Sequence, residues 1–251
     1  MAISKQSFFL FVKQYFPPGE QILDIGCGGG EMVDQGIREG YDMLGIDVEF
    51  KDSSVIKSLI SGELVRKIGF NGRENQAAAD MTWPLDNGQI AFAYSRAVIE
   101  HVPNMREFSR ELARVLKPQG SSIHYFPSKY QLRECHTGVP LGALFQNRLW
   151  YALMCSLGLC FRKYRGLSGS CEAFTYVKKF TFYRSVTELE KTFSDNGLTT
   201  HDISASFLAV SGGAIGRVVA SNIILLSLFR CFRSRVTLIS KTNANLCTQN
   251  G

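Results

Sequence analysis

Three glycines stand at alternate positions, Gly26, Gly28 and Gly30, directly after the apolar run Ile22-Leu23-Asp24-Ile25. Glycine tolerates positive φ and has no Cβ, so a loop built this way can turn sharply and let a ligand approach its backbone. The run before it has the make-up of a buried parallel strand. After it, residues 31–40 place Met32, Val33 and Ile37 on one helical face and end on Gly40. Strand, glycine loop and helix are the layout of a nucleotide site at the carboxyl end of a sheet. The spacing is D-x-G-x-G-x-G, not the dinucleotide pattern G-x-G-x-x-G, because Glu31 stands where that third glycine would be. Two dipeptides could carry other chemistry, Glu100-His101 and Cys135-His136. An imidazole titrates near neutrality and can act as a base. No second His/Cys cluster accompanies Cys135-His136, so no metal site is expected.

The elements that must position these residues follow from periodicity and punctuation. Residues 4–16 carry Phe8, Phe9, Phe11, Val12, Tyr15 and Phe16 at helical spacing, with Ser4 as cap and Pro17-Pro18-Gly19 as stop. Such a stripe suits packing on a sheet, or less readily a lid. Strands are expected at 41–47, 75–79, 89–95 and 121–126, and a helix at 51–60, with 62–74 polar and irregular. Asn104, three residues before Glu107, marks a capping box for a helix that buries Phe108, Leu112, Val115 and Leu116. Strands alternating with helices imply parallel pairing and a doubly wound sheet. After Pro127 the rhythm breaks, and residues 128–180 are expected to form an insertion over the ligand mouth. A helix at 185–196 and strands at 198–206 and 236–241 complete the single domain, 1–251, with a frayed tail from 243.

The D-x-G-x-G-x-G pattern resembles the first motif of class I S-adenosylmethionine-dependent methyltransferases. Three further stations fit in order: residues 41–47 ending in Asp47, Ala77-Ala78-Ala79-Asp80-Met81, and the segment 92–116 with Glu100-His101-Val102-Pro103, which resembles the small-molecule branch. The resemblance covers residues 20–126, roughly half of the chain. It implies an α/β fold with a Rossmann-like seven-stranded sheet, mostly parallel with an antiparallel edge strand, and S-adenosyl-L-methionine as cofactor. The cofactor residues it implies are Asp24, Gly26, Cys27, Gly28, Gly30, Asp47, Val48, Asp80, Met81 and Ser95. Asp47 would accept the ribose hydroxyls and Asp80 the adenine amino group, with Met81 on the ring. Asp24 would hold the loop, face the cationic methionine portion, or do both. A base is needed only where the acceptor must lose a proton; His101 is the first candidate and His136 the second. One departure is Ala91, where relatives usually carry an aspartate that supports the loop or the strand entry.

Composition narrows the partners. With 45% hydrophobic and 20% charged residues the chain is globular. Seven cysteines without a C-x-x-C pair, and no secretory leader, suit reduced thiols in the cytoplasm. Residues 1–128 carry 13 basic against 16 acidic side chains, net −3, whereas 129–251 carry 15 against 6, net +9. The second half is either a solvated basic surface or faces something anionic, a substrate or a membrane. The amino-methylating motif N/D-P-P-Y/F is absent, which disfavours nucleic acid. Two uncharged runs, 149–161 and 218–229, fall short of the ~20 residues of a membrane span. They are expected as core or lid helices; the alternative is interfacial helices flanked by Arg162, Lys163, Arg165, Arg230, Arg233 and Arg235. The expected function is methyl transfer to a small-molecule or saccharide-like acceptor. Its rivals are an inactive cofactor-binding module, supported only by Ala91, and a peripheral membrane methyltransferase of a lipid-linked acceptor.

Overall fold

The computed structural model describes residues 4–71 and 80–241. In chain order the elements are α1 (Lys5–Val12), β1 (Gln21–Ile25), α2 (Glu31–Arg38), β2 (Asp42–Asp47), α3 (Ser54–Ser61), β3 (Val65–Lys67) and a short hairpin of β4 (Gly69–Asn71) and β5 (Asp80–Thr82). Then come β6 (Ile90–Arg96), α4 (Met105–Val115), β7 (Leu116–Pro127), α5 (Arg148–Ser156), α6 (Gly166–Phe180) and α7 (Val186–Ser194). The chain closes with β8 (Leu198–Asp202), α8 (Ser204–Ser211), α9 (Gly213–Ser221), α10 (Ile223–Phe232) and β9 (Ser234–Lys241).

Seven strands form one sheet in the order β3-β2-β1-β6-β7-β9-β8. The five from β3 to β7 run parallel, and β9 runs antiparallel to both β7 and β8. The chain winds outward from β1 to β3, then returns to the other side of β1 as β6. That reversal is a topological switch point, and the glycine loop leaves β1 at its carboxyl end, where ligands bind in such sheets.

Alternation along the strands feeds two cores. Leu23, Ile25, Leu44 and Ile46 face the layer that holds Trp83, Phe108, Leu112 and Phe193. Ile22, Met43, Phe92 and Tyr94 face the layer of Phe8, Phe9, Phe11, Val33 and Phe207. The aromatic stripe therefore belongs to the sheet and is no lid. Ser4 caps α1 by accepting from Ser7 N at 3.0 Å, and Phe8 meets Tyr94 and Phe207 edge-on, with ring centroids 6.3 and 6.1 Å apart.

Several boundaries moved. The strand beside β2 is Val65–Lys67, inside the stretch expected to be irregular. Only Val65 of the three is buried, so no alternation betrays it, and the basic pair Arg66-Lys67 suits an exposed edge. The strand expected at 75–79 and the tail from 243 lie outside the described residues. β7 begins at Leu116, directly off α4, and a register shift between Ile90 and Phe92 absorbs residues 117–120. β8 stops at Asp202, whose carboxylate accepts from Ser204 N as α8 begins.

Residues 128–180 form a helical lobe with its own core of Val139, Tyr151, Met154, Cys155, Cys160, Tyr164, Ala173 and Val177. The run 149–161 is thus half core, with Leu149, Leu153, Leu157 and Leu159 exposed. The run 218–229 is not core: Leu226 is the only buried side chain of α10, whereas Val218, Ile223, Ile224, Leu225 and Leu228 are exposed. No single helix among the described residues is long and apolar enough to cross a membrane, and α9 and α10 meet at a bend of 109°.

Candidate active site

The three loop glycines all take positive φ, +77° at Gly26, +56° at Gly28 and +79° at Gly30. A Cβ on Gly26 would lie 2.3 Å from Val98 Cγ2, so this glycine also lets the segment after β6 cross against the loop. Gly26 N and Cys27 N donate to Ile46 O at 2.8 and 3.2 Å, and Gly28 N donates to Asp47 Oδ2 at 2.7 Å. Asp47 Oδ1 accepts from Val48 N at 2.7 Å and Glu49 N at 3.2 Å. The half-buried Asp47 carboxylate thus ties β2 to the glycine loop. Two oxygens offer about four acceptor sites, so one is left for a ligand hydroxyl. Val48, beside it, is largely exposed.

Asp24 is the anomaly of the loop. It is 1% exposed, and neither carboxylate oxygen has a hydrogen-bond partner among the described residues. Burial, and then the charge of Asp47, push its carboxyl up to about 8. The charge of Lys5 and the hydroxyl of Tyr94 offset its burial only in part, so this buried acid under a glycine loop suits a cationic ligand. Cys27 is buried with its Sγ toward Gly45, and burial pushes its thiol up, so its side chain packs and stays neutral.

Other expected cofactor residues fall less directly. Met81 is buried in the core layer that holds Trp83. Asp80 enters through its backbone, in β5; its side chain lies outside the described residues. Ser95 is fully buried, its hydroxyl shares a hydrogen bond of 2.7 Å with His124 Nδ1, and its backbone is paired between β1 and β7. His124 Nε2 reaches Ser122 Oγ at 2.9 Å, and burial lowers His124 to about 3, so this imidazole is a neutral bridge between β6 and β7. A lone histidine in a strand carries no signal of that role.

At the end of β6 the chain turns through Ala97, whose φ of +57° places a non-glycine residue in the left-handed region, into the single turn Ile99–His101. The lobe meets this turn from above. Phe182 N donates to Glu100 O at 2.7 Å, and His101 Nδ1 bonds Phe180 O at 2.6 Å. A carbonyl only accepts, so Nδ1 carries the proton and Nε2 keeps its lone pair. Burial also lowers the pKa of His101. The orienting group for this candidate base is therefore a backbone carbonyl 79 residues downstream, invisible to spacing.

His136 lies beside it, with ring centroids 4.8 Å apart. The two histidines, offered as separate candidates, share one place. Glu134, fully buried, organises the cap loop: it accepts from His136 Nδ1 at 2.7 Å, Thr137 N at 2.7 Å, Thr137 Oγ1 at 2.6 Å and Tyr183 OH at 2.6 Å. Burial opposes its ionisation, but these hydrogen bonds lower its carboxyl to about 2. Burial likewise disfavours a charged His136, yet Cys135 and Glu134 raise it to about 10. These contacts favour the protonated imidazole at His136, whereas a base needs the neutral ring. Glu100 completes the group: it is 3% exposed, without a partner on either oxygen among the described residues, and burial pushes it up to about 7. The tripeptide Glu134-Cys135-His136 was the available signal for Glu134; Tyr183 had none. Ala91 sits at the amino end of β6, away from all these groups, so its departure leaves the site intact.

Comparison with known proteins identifies the family and the fold. A family model described as a methyltransferase domain matches residues 4–202. The chain is 32% identical over 104 residues to the ubiquinone biosynthesis O-methyltransferase of Escherichia fergusonii, a match covering 41% of this chain and 40% of that protein. Among solved structures, an S-adenosylmethionine-dependent methyltransferase from Mesorhizobium loti aligns with a TM-score of 0.55 at 13% identity, over 94% of this chain and 98% of that one. Haemonchus contortus phosphoethanolamine N-methyltransferase 2, in complex with phosphomonomethylethanolamine and S-adenosylhomocysteine, aligns with a TM-score of 0.53 at 13% identity, over 96% of this chain and 53% of that one. At such identities the solved structures speak for the fold, and the curated relatives are matched over less than half their length. The family model, which spans most of the chain, settles membership: this protein belongs to the methyltransferase-domain family.

Proposed function

We propose that the chain transfers a methyl group from S-adenosylmethionine to a small-molecule acceptor seated between the glycine loop and the helical lobe. The observation that carries this is Asp24, a buried carboxyl without a partner beneath a glycine loop at the switch point. Its environment fits a ligand with positive charge. The bound cofactor supplies a methyl carbon activated by a positively charged sulfur. Asp24 offsets the ligand's cationic portion, and the free acceptor site of Asp47 takes a ribose hydroxyl. Asp80 and Met81 are the candidates at the adenine, and Val48 and Ser95 at the pocket wall. The lobe, 128–180, carries acceptor choice.

A hydroxyl acceptor must lose a proton, and His101 Nε2 is the group with a lone pair to take it. The curated relative's O-methyl chemistry and the phosphorylated amine bound by the structural neighbour supply two acceptor classes to try first, a phenol or enol and an anionic amine; a saccharide hydroxyl is a third. Free thiols at Cys27, Cys135, Cys155, Cys160, Cys171 and Cys231 support a reducing, cytoplasmic setting. Isothermal titration tests the cofactor: S-adenosylmethionine and S-adenosylhomocysteine bind, NAD and ATP far more weakly. Preference for NAD overturns the reading. Methyl-labelled cofactor with acceptor extracts then finds the acceptor.

The exposed apolar surface of α9 and α10 favours a second reading, action at an anionic membrane on a lipid-linked acceptor. Arg217, on α9, and Arg162, Lys163 and Arg165, in the lobe, are exposed as well. Exposed apolar area and exposed basic side chains on one chain suit an anionic bilayer. Sedimentation with anionic liposomes, lost in high salt, supports it; no sedimentation at any salt removes it.

A further inference from the structure

Cys135 and His136 lack a second His/Cys cluster in sequence, yet the fold brings a third donor from another segment. One ligand atom each of Glu100, Cys135 and His136 lies within 4.8 Å of the others. Two features separate this trio from a chance cluster. Glu100 is buried, and neither of its oxygens has a hydrogen-bond partner among the described residues. A buried carboxylate without a hydrogen bond is costly; the positive charges of His136 and Arg96 offset part of that cost, and a divalent ion that replaces the His136 proton would offset it more fully. His136, for its part, is already held as a metal-bound imidazole is held. Glu134 takes Nδ1 at 2.7 Å; Cys135 Sγ lies 3.2 Å from that nitrogen and 3.9 Å from Nε2, so the sulfur turns toward Nε2 when a metal takes both. A carboxylate on the far ring nitrogen is the usual outer shell of a metal-ligating histidine. Thr137 and Tyr183 in turn fix Glu134.

We propose that Glu100, Cys135 and His136 bind one divalent cation of the Zn²⁺ class. Thiolate, imidazole and carboxylate are the donors that zinc and cobalt take together, whereas Mg²⁺ and Ca²⁺ call for oxygen alone. Bonds of ~2.0–2.3 Å set tetrahedral ligands about 3.3–3.8 Å apart, so the cap loop closes on Glu100 by roughly 1 Å. Binding expels the protons of the Cys135 thiol and His136 Nε2. Three protein donors leave one position open, as in catalytic rather than structural sites. That position borders the turn after β6, which crosses Gly26, so it suits an oxygen of the methyl acceptor. The acceptor as fourth ligand rests on the methyl-transfer reading; binding of the cation by the three side chains does not.

The test titrates Co²⁺ into the full-length, chelator-treated protein. One equivalent binds with a thiolate-to-cobalt charge-transfer band in the near ultraviolet, and Zn²⁺ displaces it. Cys135→Ser abolishes the band, and Glu100→Gln weakens Co²⁺ at least tenfold. Cys171→Ser, an exposed thiol on α6, changes neither. Melting curves check that each variant is folded; because Cys135 is an exposed loop residue, its variants keep the test decisive if Glu100→Gln does not fold. Absence of the band in the wild type, or binding undiminished in folded Cys135→Ser, overturns the proposal. Titration of S-adenosylmethionine into the same metal-free sample reads the cofactor site separately.

Discussion

Asp24 links the pH behaviour of the empty protein to its ligand. Its carboxyl rises from 3.8 to about 8 on folding, so the folded state holds a proton that the unfolded chain releases. The stability this contributes is complete below the unfolded value and is lost as pH climbs through about 8. The loss is on the order of 5 kcal/mol. Melting temperatures of the ligand-free protein should therefore fall between about pH 4 and 8 and level off above, and Asp24→Asn should flatten that slope. The same variant should bind S-adenosylmethionine at least tenfold more weakly by titration, since the counter-charge is gone. An unchanged slope would mean that Asp24 already has a partner. His101 has a different signature. If its Nε2 takes the acceptor's proton, His101→Ala lowers turnover about 10²–10⁴-fold and leaves cofactor affinity nearly intact. A loss of less than about tenfold would point to catalysis by positioning alone, because the sulfonium already activates the methyl carbon.

At the scale of elements, α1 shows how much packing outweighs a cap. Phe8 is fully buried against Tyr94, Tyr125 and Phe207. Phe8→Ala should destabilise by about 3–5 kcal/mol, measured by denaturant unfolding. Ser4→Ala, which removes only the cap, should lose about 1 kcal/mol. This part of the fold was legible because each signal was local: a stripe at helical spacing, Ser4 and Asn104 as caps, Gly40 as a stop. Asn104 does cap α4 through Glu107 N, although Glu107 turns its side chain to Arg110 instead of closing the box. The glycine loop and Asp47 were legible for the same reason. β3 was not, since three residues with a basic pair carry no period. The site's upper half was not either: Glu100, His101, His136 and the Phe180 carbonyl meet only through tertiary structure, and no spacing in the chain encodes a contact between the turn after β6 and the end of α6.

At the scale of the molecule, the basic second half and the exposed helices α9 and α10 coincide in sequence, which neither hydrophobicity nor charge alone would single out. Ile223 and Ile224 are 80% and 68% exposed, so replacing both with Asp should shift stability by no more than about 0.5 kcal/mol each. Liposome sedimentation should disappear with the double variant if that surface meets a bilayer, and the melting temperature should stay. Retention of liposome binding would move the contact elsewhere.

The two bonds that tie the end of α6 to the turn after β6 carry a kinetic meaning. Phe182 N on Glu100 O and Phe180 O on His101 Nδ1 break together if the lobe swings away from the mouth. The imidazole would then be free to carry its proton on either nitrogen, and the Nε2–H tautomer would be unable to take one there. Admission of the acceptor and arming of the histidine would thus be one gated event, with re-latching as the commitment step. Nitrogen NMR of His101 reads that latch directly: a single Nδ1–H tautomer when the lobe is seated, a mixture when it is not.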